Sequence, residues 1–180
     1  MSVSTWRIYA HRHCLPTEKP IEKLLLVHVA GRRYGLHANL TRMVHFGPVP
    51  ADLRDRHEAV SHIHGVILAN LKPGVRFADL FDEIKAAYAE TGYADAWRGH
   101  FQGGPSGYEA CEPYLLLDPS AGAQANQVYD WFPTVPGTKS EELSLLSEES
   151  AELLSLAPDW PTLSVGVVDR MFEMPDILER

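Results

Sequence analysis

The chain has 180 residues, a formal net charge of −8 and 45% hydrophobic residues. This length and apolar content suffice to bury one sizeable core, whereas the negative charge and the scattered Lys and Arg argue against a nucleic-acid-binding surface. The longest apolar stretch, residues 24–30, is interrupted by His28 and is far too short to cross a membrane. We therefore expect a soluble cytoplasmic domain, in which Cys14 and Cys111 are reduced thiols.

The first half of the chain predicts a hairpin followed by two helices. Residues 24–29 form an apolar run typical of a buried strand. Residues 31–35 contain turn residues, and residues 36–46 alternate loosely enough for a second strand. Apolar residues then recur at helical spacing over residues 51–71, and again over residues 77–90.

The second half predicts a glycine-rich loop and several short strands. Three glycines around Pro105 predict a loop over residues 103–107. Strands are predicted over residues 108–117, 127–135 and 142–146. This order of elements indicates an α+β domain with a mostly antiparallel sheet covered by helices.

The domain organisation follows from the same composition. We expect an irregular lead-in over residues 1–20, the main domain over residues 21–147, and an acidic, Pro-containing C-terminal tail over residues 148–180. The first predicted helix carries three histidines, His57, His62 and His64, which do not form a metal-binding motif. We predict that these histidines are exposed.

Short motifs follow one another in a fixed order along residues 21–147. They are Val27–His28–Val29, Asn39–Leu40–Thr41–Arg42, residues 103–113, Trp131–Phe132–Pro133 and Thr138–Lys139–Ser140–Glu141. Together they resemble the motifs of the pita-bread family, which includes aminopeptidase P, prolidase, methionine aminopeptidase and creatinase, and they are closest to a divergent Xaa-Pro-aminopeptidase-like branch. The resemblance implies a pita-bread fold with a curved sheet, incomplete at its N-terminal side.

The same resemblance identifies the positions at which active members hold two metal ions. In the family these ligands are two Asp, one His and two Glu; the corresponding positions here are His28, Asn39, Gly104, Phe132 and Glu141. Two neighbouring divalent cations need several anionic oxygens around them, and only Glu141 is a carboxylate. We therefore expect no metal and no other cofactor.

The resemblance also suggests roles for individual residues. The expected catalytic residues are His28, His100 and Glu141, and the expected substrate-binding residues are Asn39, Tyr108, Cys111 and Glu112. Structural roles remain open for these residues: His28 and Asn39 as hydrogen-bonded strand residues, His100 as a solvent-exposed loop residue, and Cys111 as a small buried hydrophobe.

The function expected from these residues is that of a metal-independent enzyme, in the manner of creatinase, acting on a small amino-acid-like or amide substrate in the family's active cleft. A non-catalytic module that binds a peptide or a protein is the first alternative, and an Xaa-Pro-type metallopeptidase is the second. The expected partners are a small-molecule or peptide-like substrate and either a second copy of the chain, in a homodimer, or another chain that completes the fold. Neither nucleic acid nor a membrane is expected as a partner.

Overall fold

The secondary structure begins with a short helix and a long hairpin. The computed structural model of the protein describes residues 5–12, 18–112, 118 and 120–180. The first elements are helix α1 (Thr5–Ala10), strands β1 (Leu24–Arg33) and β2 (Leu36–His45), helices α2 (Ala51–Asn70) and α3 (Phe77–Glu90), and a 3₁₀ helix (Ala96–Gly99). The later elements are strands β3 (Gly103–Ser106), β4 (Gln127–Trp131), β5 (Thr134–Val135), β6 (Thr138–Lys139), β7 (Glu142–Leu146), β8 (Ala151–Leu153), β9 (Thr162–Val167), β10 (Arg170–Pro175) and β11 (Leu178–Glu179).

The strands pair almost entirely in antiparallel fashion. β3, β4, β7 and β8 form a sheet in that order, and β1, β2 and β11 form a second sheet in which only β11 runs parallel to its neighbour. The remaining strands form the pairs β5–β6 and β9–β10. The predicted α+β class with a mostly antiparallel arrangement is confirmed.

The two predicted helices form within one residue of their expected bounds and supply much of the core. Val60, Ile63 and Ile67 on α2 are fully buried, at the three- and four-residue spacing of one helix face. On α3, Leu80 and Ile84 are buried in the same cluster. α2 also contacts β5, β6, β9 and β10, so this helix connects the early and the late segments of the chain.

The glycine-rich segment was wrongly predicted as a loop. Residues 103–106 form β3, which pairs with β4, whereas residues 107–111 are bends and the other residues of the expected strand at 113–117 lie outside the described part. Close backbone packing explains the glycine: a Cβ on Gly103 would meet the carbonyl oxygen of Asp130 at 2.1 Å, and its φ is +110°. A strand glycine often marks such an approach.

Both ends of the chain contain more structure than the sequence pattern predicts. The lead-in includes α1, and residues 148–180 contain β8 to β11. Val165 and Val167 of β9 pack beside Gly65 of α2, where an added Cβ would lie 3.0 and 3.1 Å from their side chains and force them to shift. The division into a lead-in, a main domain and a tail stays a prediction. Within the described residues, no helix is long and apolar enough to span a membrane.

The outer half of β1 is more exposed than expected. The apolar run over residues 24–29 predicted a buried strand, but Val27 and Val29 are 37% and 46% exposed. β1 lies at the edge of its sheet in the described structure, so these side chains have no neighbouring strand beyond them. The face that carries His28, in contrast, turns toward the later strands.

Candidate functional site

One face of the hairpin carries the first polar residues of the site. In the β1–β2 register His28 lies opposite Thr41, and Asn39 stands two residues from Thr41 on the same strand. Because alternate residues of a strand share a face and cross-strand partners point the same way, all three side chains project from one side of the hairpin. With this register, His28 and Asn39, which are eleven residues apart, lie on one face of the hairpin.

Glu141, just before β7, is the centre of a hydrogen-bonded cluster. His28 Nε2 lies 3.2 Å from Glu141 Oε1, and Lys139 Nζ lies 2.8 Å from Glu141 Oε2. The Thr41 hydroxyl also donates to Oε2. Burial alone would raise the pKa of Glu141, but the donors His28, Lys139 and Thr41 outweigh it and lower this pKa to about 2. Glu141 is thus a buried carboxylate that stays ionised at neutral pH.

Asp130 on β4 is a second buried carboxyl group, and the sequence analysis missed it. Asn39 Nδ2 donates to Asp130 Oδ2 at 2.8 Å, and Asp130 is only 1% exposed. Burial, followed by the nearby charge of Glu141, raises the pKa of Asp130 to about 8. The detectable signal was strand alternation, because Asp130 stands two residues before the family ligand position at Phe132.

Phe132 places an aromatic ring at that ligand position. Lys139 Nζ lies 5.1 Å from the centre of the Phe132 ring, and His100 packs edge-on against the same ring at 5.4 Å. His100, which we expected to be catalytic, therefore approaches the cluster through Phe132. Its backbone oxygen accepts a hydrogen bond from the Gln102 side chain at 2.5 Å.

The expected substrate-binding residues after β3 lie at different distances from the cluster. Cys111 is half-buried and close enough to Asp130 and Glu112 for their charges to act on it; burial, with these charges, raises the pKa of its thiol to about 12. Glu112 Oε1 accepts a hydrogen bond from the backbone N–H of Glu109 at 3.3 Å. Tyr108 is 71% exposed, and its ring lies against Gly35 in the β1–β2 turn. Asn39 and Cys111 therefore border the cluster, whereas Tyr108 contacts the hairpin turn.

Two histidines of α2 are buried, which contradicts the expected exposure. His64 is fully buried, with Nδ1 2.8 Å from Ser140 Oγ, and burial lowers its pKa to about 3 despite the opposing charge of Glu141. His57 is buried between Thr138 Oγ1, at 2.9 Å from Nδ1, and the backbone oxygen of Pro175. Segments far along the chain cover this helix face, which no local pattern reveals.

Comparison with known proteins assigns the family. The model of metallopeptidase family M24 matches residues 3–142, so the chain belongs to this family, and the expected pita-bread fold is confirmed. No curated protein sequence matches the chain.

Solved structures agree in fold. A prolidase from Thermococcus sibiricus superposes with a TM-score of 0.71 at 18% identity, over 82% of this chain and 42% of that one. An X-Pro aminopeptidase from Thermotoga maritima MSB8 superposes with a TM-score of 0.70 at 20% identity, over 93% of this chain and 45% of that one. An Xaa-Pro dipeptidase from Bacillus anthracis superposes with a TM-score of 0.71 at 16% identity, over 96% of this chain and 46% of that one. The chain thus spans less than half the length of these proteins.

The side chains present at the family's ligand positions do not suit two divalent cations. Both Glu141 oxygens already accept hydrogen bonds from His28, Lys139 and Thr41. Asn39 turns its amide N–H toward Asp130, while Phe132 and Gly104 supply no donor atom. Among the described residues, no group of three or more His, Cys, Asp or Glu is arranged to hold a metal ion. The Lys139 ammonium lies against the carboxylate that would be a ligand, which opposes cation binding.

Proposed function

We propose that this protein is a metal-independent enzyme that acts on a small amino-acid-like or amide substrate, with His28 as its general base. The contact of 3.2 Å between His28 Nε2 and Glu141 Oε1 carries this proposal. The buried, ionised carboxylate accepts a hydrogen bond from the Nε2–H group of His28 and so favours the tautomer in which Nδ1 can accept a proton. His28 is 41% exposed, whereas Glu141 is 2% exposed, so the imidazole is the member of the pair that substrate reaches.

The pair of His28 and Glu141, called the dyad below, supports hydrolysis of an amide. His28 Nδ1 takes a proton from a water molecule as the water oxygen bonds to the amide carbonyl carbon. The carbon–nitrogen bond then breaks, and the proton passes from His28 to the departing amine. Glu141 stabilises the imidazolium that exists between these two transfers, while Lys139 and Thr41 keep Glu141 in place.

The absence of a metal from this mechanism is supported by the donor set. The Lys139 ammonium group balances the negative charge of Glu141, and Gly104 and Phe132 have no side-chain atom that could bind a metal ion. Proteins of similar structure include a prolidase, a dipeptidase and an X-Pro aminopeptidase, and an amide-bond substrate for this chain is consistent with their names.

A non-catalytic binding module is the alternative, and Phe132 favours it. Its ring, packed by His100 and Phe101, offers an apolar surface for a ligand but no reactive atom. In that case ligand binding would persist while turnover is absent.

The test is turnover of aminoacyl amides and dipeptides by the chelator-treated protein, followed by NMR detection of released products. We expect turnover without added metal, and a loss of roughly 10²–10⁴-fold in kcat for His28→Asn, the size of a general-base contribution. The matched control is His62→Asn, since His62 lies on α2 outside the cluster. Turnover that requires added divalent ions, or that is unchanged in His28→Asn, would refute the proposal.

A further inference from the structure

Three buried oxygen atoms near the dyad have no hydrogen-bond partner in the described part of the chain. They are Asn39 Oδ1, Ser106 Oγ and Asp130 Oδ1, in residues that are 4%, 7% and 1% exposed. Buried polar atoms in folded proteins are almost always hydrogen-bonded. These three atoms therefore indicate a polar group that the described residues do not supply.

Two of the three side chains, those of Ser106 and Asp130, lie on one face of the neighbouring strands β3 and β4. In the β3–β4 register Gly104 is paired with Asp130 and Ser106 with Val128. Because Gly104 and Ser106 are two residues apart, Ser106 and Asp130 project from the same face. Asn39 joins them from β2 through its 2.8 Å hydrogen bond to Asp130. The position directly opposite Asp130 carries no side chain, since its partner is Gly104.

The charge distribution favours a cation at this place. Glu141 has Lys139 and His28 as partners, whereas Asp130 receives only the neutral amide N–H of Asn39. A buried carboxyl group is stabilised as an anion when a cation with hydrogen-bond donors lies beside it. A cation with N–H groups bound here would therefore favour the ionised form of Asp130, whose pKa burial and the charge of Glu141 otherwise raise to about 8.

We propose that Asn39, Ser106 and Asp130 bind the ammonium group of an α-amino amide, an inference that rests on the proposed function. An ammonium group has three N–H donors, which match Asn39 Oδ1, Ser106 Oγ and Asp130 Oδ1 when the bound cation keeps Asp130 ionised. A divalent ion is a poorer match, since the three residues include only one carboxylate.

Spacing along β2 relates this subsite to the dyad. Asn39 and Thr41 are two residues apart, so their side chains are separated by about 7 Å along the strand. Thr41 binds Glu141, which in turn binds His28. This separation accommodates the short link between an α-ammonium group and its carbonyl carbon, together with the attacking water beside His28.

The experiment compares two probes that differ only in the ammonium group: L-alaninamide and N-acetyl-L-alaninamide. Binding is followed by NMR titration of the full chain at neutral pH, both in the wild type and in His28→Asn, where turnover is suppressed. We expect saturable binding of L-alaninamide and roughly tenfold or greater weakening for the acetylated probe. Asp130→Asn and Ser106→Ala should each weaken L-alaninamide binding, whereas Ser164→Ala, on the exposed β9–β10 hairpin, should not.

Failure of this inference is distinguishable from failure of the proposed function. Equal binding of the two probes, unchanged binding in Asp130→Asn, or no saturation by L-alaninamide at millimolar concentrations would each overturn the ammonium subsite, even where turnover persists. The last result would indicate that ordered water alone satisfies the three oxygens. Selective ammonium binding without turnover would instead support the subsite and refute only the catalytic proposal.

Discussion

Replacing His64 by Gln should change how the free energy of unfolding depends on pH. His64 is fully buried and its pKa is lowered to about 3 in the folded protein, whereas an unfolded histidine has a pKa of about 6.5. Between pH ~6.5 and pH ~3, His64 is therefore protonated in the unfolded state but neutral in the folded state. Stability from His64 is present above pH ~6.5 and is lost as the pH falls, by about 1.4 kcal/mol per pH unit.

Other groups titrate in the same range, so the informative quantity is the difference between variant and wild type. Asp130, with its pKa raised to about 8, has the opposite sign: its contribution falls as the pH rises from about 4 to about 8. His57, whose pKa is also lowered by burial, acts in the direction of His64. Subtracting the pH profile of the free energy of unfolding of His64→Gln from that of the wild type removes the contributions of Asp130 and His57 and leaves that of His64.

The assay is urea unfolding of wild type and His64→Gln at several pH values. At pH ~7 we expect the variant to be less stable by about 1–2 kcal/mol, because it loses the hydrogen bond to Ser140. At pH ~4.5, two pH units below the unfolded pKa, the stability difference should have moved by roughly 2–3 kcal/mol in favour of the variant, so that His64→Gln becomes at least as stable as the wild type. His62→Gln, on the same helix but half-buried, is the control and should leave the slope nearly unchanged.

Parallel unfolding profiles for wild type and His64→Gln would refute this reasoning. NMR of the His64 imidazole in the wild-type protein provides a second reading that does not depend on the variant's folding. The ring should remain neutral at pH ~5, and protonation at or above that pH would show that burial does not lower the pKa as the geometry requires.

Three further predictions concern stability and assembly. Arg42→Met should reduce the free energy of unfolding by about 3–5 kcal/mol, because it leaves Glu142 buried without its cation. The control Lys85→Met removes one member of an exposed ion pair and should change the free energy of unfolding by less than about 1 kcal/mol. Equal effects of the two substitutions in urea unfolding would contradict this prediction. Gly103→Ala should lower the Tm markedly, since its Cβ would collide with the backbone of β4. Gly74→Ala, which has open space around the added Cβ, should show only the smaller effect of its positive φ. Similar Tm values for the two variants would disprove the argument that β4 leaves no room for a Cβ at position 103. We also expect a homodimer, or a complex with another chain, through the exposed edge of β1, and light scattering that shows a stable monomer at micromolar concentration would count against it.

Local patterns were sufficient for the elements that depend on short-range spacing. α2 and α3 follow from apolar residues at helical intervals, and the eleven-residue spacing of His28 and Asn39 is compatible with the observed hairpin register. The contact between His28 and Glu141 was anticipated only through the resemblance to the pita-bread family. The catalytic role of this pair stays a prediction.

Helical periodicity, and the resemblance of the ordered motifs to the pita-bread family, thus determined the fold class of this protein from its sequence, because both can be recognised without knowing which distant residues are in contact. Tertiary structure decided the environment of each titratable group. Asp130 becomes a site residue because Asn39, 91 positions earlier, donates to it. His64 is buried because Ser140, 76 positions later, lies against it. Burial, and the pKa shifts that follow from it, depend on which distant segments exclude water, and that information resides in the packing rather than in any local run of residues.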